Sequence, residues 1–121
     1  MRYLCAVYFE PKALESLSAL ERAALDRDSM AYDEELRRSG HYLVSDALQP
    51  VSKARTVRVR KGKVSAIDGP FAETKEHLGG FILIEAKDMN EAIQLASGIP
   101  LAKLGSIEVR PSMEIAPPAE R

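Results

Sequence analysis

The sequence predicts an α+β fold with the element order β-α-β-β-α-β and a β-hairpin inserted after the second strand. Three observations predict it. Apolar, strand-forming runs alternate with capped helical segments along the chain. A strictly alternating run, Thr56–Arg60, and its partner strand, Lys63–Ile67, flank a Lys61-Gly62 turn. Only two substantial helices are present, which suffices for one face of a sheet and leaves the other for a second copy of the chain.

The elements follow in order. Arg2-Tyr3-Leu4-Cys5-Ala6-Val7-Tyr8-Phe9 is rich in strand formers with few polar breaks, as in a central strand covered on both faces. Glu10-Pro11 ends it, and a short helical turn follows around Pro11 to Leu17. Ser18-Ala19-Leu20-Glu21 is a capping box, so a long helix runs from there to about Arg38 and stops at Gly40. Its buried stripe is read as Leu20, Ala24, Ala31 and Leu36. Residues 41–48 form the second strand, which Gln49-Pro50 breaks. In the hairpin, alternation puts one face in the interior and the other in water. Asp68 to Leu78 is a polar connector, and Gly80–Ala86 is a strongly apolar strand. Asp88 caps a second helix that turns Ala92, Ile93 and Ala96 inward and stops at Gly98. Gly105–Arg110 is the last strand. Without the hairpin, this is the ferredoxin-like split βαβ arrangement.

With 121 residues the chain has the size of one domain. Residues 1–112 form that domain, and residues 113–121 read as a polar, proline-containing tail. The apolar fraction of 45% is that of a globular protein. Seventeen basic residues against eighteen acidic ones argue against a nucleic-acid binder. The single Cys5, inside an apolar run, reads as a buried core thiol that forms no internal disulfide. No apolar run reaches the ~20 residues of a membrane helix and no leader pattern opens the chain, so the cytoplasm is the expected compartment. Two distant histidines and one cysteine give no metal-ligand spacing. No cofactor is expected: Gly79-Gly80 precedes a strand and cannot present a helix N-terminus to phosphate.

Asp68-Gly69-Pro70-Phe71-Ala72-Glu73-Thr74-Lys75-Glu76, followed by Gly79-Gly80-Phe81, resembles the signature of the DGPF branch of the YCII-related proteins. Similar segments occur at Arg2-Tyr3-Leu4, Leu17-Ser18, Glu34-Glu35-Leu36, Thr56-Val57-Arg58 and Ile107–Pro111, so the resemblance covers about 110 residues. It implies a dimeric α/β barrel of ferredoxin-like protomers. It also implies an association of some relatives with sigma factors of the extracytoplasmic-function type, and hence an alternative role as a ligand-sensing or protein-binding accessory module. Other members of the wider group carry a His and an Asp proposed as a catalytic pair. The His position corresponds to Ser29 here and the helix end reads Arg37-Arg38-Ser39, so that pair is not carried over.

The candidate site gathers around the same segment. Asp68 reads in two ways: as a turn opener for Gly69-Pro70, or as a rim carboxylate suited to proton transfer. Phe71 is either a core plug or a wall of a pocket shared with Tyr8 and Tyr42. Glu73 and His77 are the further acid–base candidates, unless they simply pair at i, i+4 on a solvated turn. Lys75 either belongs to the same solvated turn or holds an anionic substrate group. The expected function is small-molecule binding, with cofactor-free acid–base chemistry at a barrel-rim pocket. The expected partners are a second copy and a small ligand. The basic residues Arg55, Arg58, Arg60, Lys61 and Lys63 read as a solvated hairpin face or a contact for an acidic partner.

Overall fold

The computed structural model describes residues 1–117; the end of the expected tail, residues 118–121, lies outside the described residues. β1 (Arg2–Phe9) is central in a four-stranded antiparallel sheet. It pairs on one side with β5 (His77–Glu85), which pairs in turn with β2 (Tyr42–Ala47). On the other side it pairs with β6 (Ser106–Pro111). A short helix, α1 (Pro11–Glu15), and a long one, α2 (Ala19–Arg38), connect β1 to β2, and α3 (Met89–Ser97) connects β5 to β6. β3 (Arg55–Arg60) and β4 (Lys63–Asp68) form a separate two-stranded hairpin between β2 and β5.

One face of the sheet carries the core. Tyr3, Cys5 and Val7 of β1 and Ile82 and Ile84 of β5 pack with Leu36 of α2 and with Ala92 and Ala96 of α3. Ile84 and Cys5 are the largest fully buried side chains. Alternation sends Leu4, Ala6, Phe81, Leu83 and Val44 to the opposite face. There Val44 is exposed and Leu4, Phe81 and Leu83 are half-buried. The rim of this face is charged: Arg2 stands across from Glu85, and Glu108 from Ala6.

The capping box at Ser18 forms as read. The Ser18 hydroxyl accepts the Glu21 N–H at 3.1 Å and the Glu21 carboxylate accepts the Ser18 N–H at 2.9 Å. Gly40 takes φ +80 after the helix, and the His41 N–H reaches back to the Leu36 carbonyl. The inward stripe of α2 agrees with the sequence reading at Leu36, which is buried, and at Ala24, which is half-buried, and differs at the other two positions. Leu20 is 84% exposed and Ala31 is exposed, whereas Leu25, Ser29, Tyr32 and Leu36 turn toward the sheet at helical spacing. Leu20, in the capped first turn, points to solvent. In α3, Ala92 and Ala96 are buried but Ile93 is exposed, because a short helix on a sheet presents only a narrow face.

Two further readings are corrected. The hairpin was expected to bury one face, but among the described residues it pairs with no other strand, and every residue of β3 and β4 except Thr56 is exposed. β5 begins at His77, three residues earlier than read. A register shift between Val7 and Tyr8 lets β1 continue to Phe9, which pairs with His77.

Candidate functional site

The Asp68-Gly69-Pro70-Phe71 segment roots the hairpin. Arg55 and Asp68 face each other at its open end, with Arg55 Nε 2.9 Å from Asp68 Oδ1. The Gly69 N–H donates to the Ala54 carbonyl, and the Thr56 hydroxyl donates to the Gly69 carbonyl, both at 2.9 Å. Gly69 adopts φ +102, a conformation that strains any residue with a Cβ. Pro70 fixes the exit, and the Arg58 guanidinium sits 5.5 Å from the centre of the Phe71 ring. Asp68 itself is 87% exposed. Phe71 does not plug the core: it is 79% exposed, because the loop carrying it lies outside the helix–sheet layer.

Beneath this loop lies an open cleft of about 780 Å³. The turn after β2 forms one wall with Leu48, Pro50 and Lys53. Phe71 and Thr74 form the other, and Tyr8 and His77 close the end. Three of the residues singled out from the sequence, Tyr8, Phe71 and His77, therefore come together. The others stand apart from the lining. Asp68 is engaged with Arg55, Glu73 is exposed, and Lys75 Nζ lies 3.6 Å from Glu10 Oε1. Residues 73–76 form no helix, so Glu73 and His77 do not share a helical turn. Glu76 is held from a distance, accepting from the Ser106 hydroxyl at 3.2 Å.

Tyr42 lies elsewhere, between β2 and α2. Its hydroxyl is 2.7 Å from the Ser45 hydroxyl, and Ser45 donates to Asp33 Oδ2 at 3.4 Å. The Arg37 guanidinium stacks 4.2 Å from the Tyr42 ring centre. Asp33, Ser29 and Ser45 line a shallow depression of about 120 Å³ against the backbone of Gly79 and Gly80. Asp33 was not read as a site residue. The signal for it was its position four residues after Ser29, on the helix face that meets the sheet.

Burial raises the Asp33 pKa from its ordinary value, against the opposing pull of Arg37 and the Ser45 hydroxyl. The folded chain then holds this proton more tightly than the unfolded one. The stabilisation is present below the unfolded value, about 3.9, and is lost as pH rises through the folded value. Asp33→Asn keeps an acceptor for Ser45 and removes the ionisation penalty. The variant is expected to gain stability over the parent at pH 7 and to lose that gain near pH 3. Urea unfolding at the two pH values measures it. The gain is small, because the side chain is only partly withdrawn from water.

His41 is structural: its Nδ1 lies 2.7 Å from the Glu85 carbonyl, tying the end of α2 to β5. Burial pushes the Cys5 thiol up to about 11. Among the described residues, no three His, Cys, Asp or Glu side chains come together as a metal site would require. No helix among them is long and apolar enough to cross a membrane.

Comparison with known proteins agrees with this architecture. An uncharacterized protein of Rhizobium meliloti (strain 1021) is 34% identical over 113 residues, covering 92% of this chain and 91% of its own. The chain is similar in fold to 5-chloro-2-hydroxyhydroquinone dehydrochlorinase from Burkholderia phenoliruptrix AC1100, solved in complex with 2,5-dihydroxybenzoquinone. The TM-score is 0.55 at 19% identity, over 93% of this chain and 94% of that one. The family model of the YCII-related domain matches residues 1–116, and the chain belongs to that family.

Proposed function

We propose that this protein binds a small, flat, oxygen-bearing organic molecule in the cleft beneath Phe71 and acts on it by acid–base chemistry without a cofactor. In this reading the chain is a ferredoxin-like protomer of the DGPF branch, works in the cytoplasm, and pairs through its open sheet face with a second copy. The observation that carries the reading is the cleft itself. It is lined mainly by apolar side chains, with two aromatic rings to stack on and a few polar groups, which is the usual make-up of a small-molecule site. His77 is its proton-handling group, since its ring can accept or donate a proton and, among the described residues, no carboxylate lines the cleft. Lys53 is a cation at the same wall for an ionised ring oxygen. Asp68, Glu73 and Lys75 stand outside the lining and shape the approach.

The fold neighbour's quinone ligand supplies a probe class. Calorimetric titration with 2,5-dihydroxybenzoquinone and with hydroquinone is expected to show saturable binding. Phe71→Ala and His77→Ala are each expected to weaken it about tenfold, the loss of one stacked ring or one hydrogen bond of roughly 1.4 kcal/mol. Affinity untouched by both substitutions would place the ligand elsewhere. No binding of either compound would remove the quinol class.

A further inference from the structure

The hairpin Arg55–Asp68 has a bare apolar face and a rigid root. Register sets Val57 across from Ala66 and Val59 across from Val64, so these four side chains share one side of the ribbon. Val57 is 62% exposed and Val64 is 72%. A two-stranded hairpin is marginal in water by itself and gains stability by packing an apolar face on another layer. An uncovered ribbon of β-branched residues is also a liability for disordered association. Yet its base is fixed by the Arg55–Asp68 ion pair, the Gly69–Ala54 and Thr56–Gly69 hydrogen bonds, and Phe71 beneath Arg58. These contacts order the root, and among the described residues β3 and β4 pair only with each other, which leaves that face open.

Charge indicates what covers it. The hairpin carries five basic residues, Arg55, Arg58, Arg60, Lys61 and Lys63, against the single acid Asp68. That leaves twelve basic against seventeen acidic residues in the rest of the chain. The net acidic body of a second copy thus attracts the arm as a whole, with Arg58, Arg60 and Lys63 on the side of the ribbon opposite the valines that make the contact. Position agrees. Lys53 and Ala54, just before β3, and Pro70 and Phe71, just after β4, line the cleft, so the arm springs from its lip. Phe9 packs on the core, so its neighbour Tyr8 looks toward the open sheet face. Tyr8 and its partner Leu78 stand at the end of that face and line the same cleft.

We propose that the hairpin is a clasp. In a dimer, each copy's Val57–Val59–Val64–Ala66 face lies on the second copy and closes the mouth of a cleft. The binding site is then incomplete in a lone chain, and the Asp68-Gly69-Pro70-Phe71 segment positions the clasp. This rests on the face-to-face pairing proposed above.

Light scattering after size exclusion, with hydrogen exchange at two protein concentrations, tests it. A dimer is expected, with the β3 and β4 amides more protected at the concentration where the dimer predominates. Val57→Glu with Val64→Glu is expected to raise the dimer Kd about tenfold or more and to weaken 2,5-dihydroxybenzoquinone binding. Its far-UV circular dichroism should match the parent's, since both residues lie outside the core. A dimer whose arm amides exchange equally fast at both concentrations, with Kd unchanged in the double variant, overturns the clasp and leaves the face-to-face pairing standing. A chain that stays monomeric at every concentration overturns both.

Discussion

Replacing Gly105 by alanine is expected to remove about 3 kcal/mol of stability, as overpacking does where backbone must move. A Cβ at this position would press into the Tyr8 carbonyl oxygen and lie 2.9 Å from Phe9 Cβ and 3.0 Å from Phe9 Cα. Tyr8 pairs with Leu78 on one side and Ser106 on the other, and Phe9 pairs with His77, so this backbone cannot yield as a flexible side chain can. Nor can the glycine move away easily, because its N–H is tied to the Leu101 carbonyl at 2.9 Å. The melting temperature should fall by roughly 10 °C for a chain of this size. Differential scanning calorimetry reads it directly, and a shift of less than ~2 °C would mean that the turn before β6 adapts. Because Tyr8 closes one end of the cleft, the surviving folded fraction should also bind ligand less tightly.

Ile84→Ala is expected to cost about 3–4 kcal/mol, the usual loss for a large aliphatic removed from a site that collapses poorly. Ile84 is 1% exposed and lies on an inner strand of the sheet, paired with Tyr3 on one side and Tyr42 on the other. Two aromatic neighbours anchored in their own strands leave little freedom to fill the hole. Urea titration should show a lower midpoint with an unchanged slope, because the surface exposed on unfolding is nearly the same. A loss below ~1 kcal/mol would indicate that α2 settles onto the sheet to close the gap.

Local grammar was legible where a single mechanism dominates. The Ser18–Glu21 reciprocal cap, the Gly40 stop and the Lys61-Gly62 turn, with φ 51 and φ 74, follow from residue chemistry alone. What failed depended on where an element ends up. Alternation in Thr56–Arg60 correctly gave a strand, but two-sidedness says only which residues share a face, not whether anything lies against it. Leu20 keeps the helical period and is still bare, since burial needs a neighbouring layer as well as a pattern.

The site divided in the same way. Tyr8, Phe71 and His77 were legible because strand ends and the loop after the hairpin converge at one end of the sheet. Tyr42 shared only residue type with Tyr8; the strand carrying it enters from the opposite end, so its ring meets Arg37 and its hydroxyl meets Ser45. Lys53 and Pro50 belong to the cleft through a chain reversal after β2 that no motif announces. Asp68, the most conspicuous residue of the signature, is spent on the hairpin root. A carboxylate beside Gly-Pro carries the same sequence pattern whether it binds substrate or backbone geometry.

The burial of Cys5 has a practical consequence. With its thiol pushed up to about 11, only about one molecule in ten thousand carries the thiolate at pH 7, and the fully buried sulfur gives reagents no approach. The native chain is therefore a silent background for thiol-directed probes. A cysteine introduced at Ser65, on the exposed outer side of β4, would take a maleimide fluorophore or a spin label alone. Distance measurements between two such labels could then follow the arm without removing any natural residue.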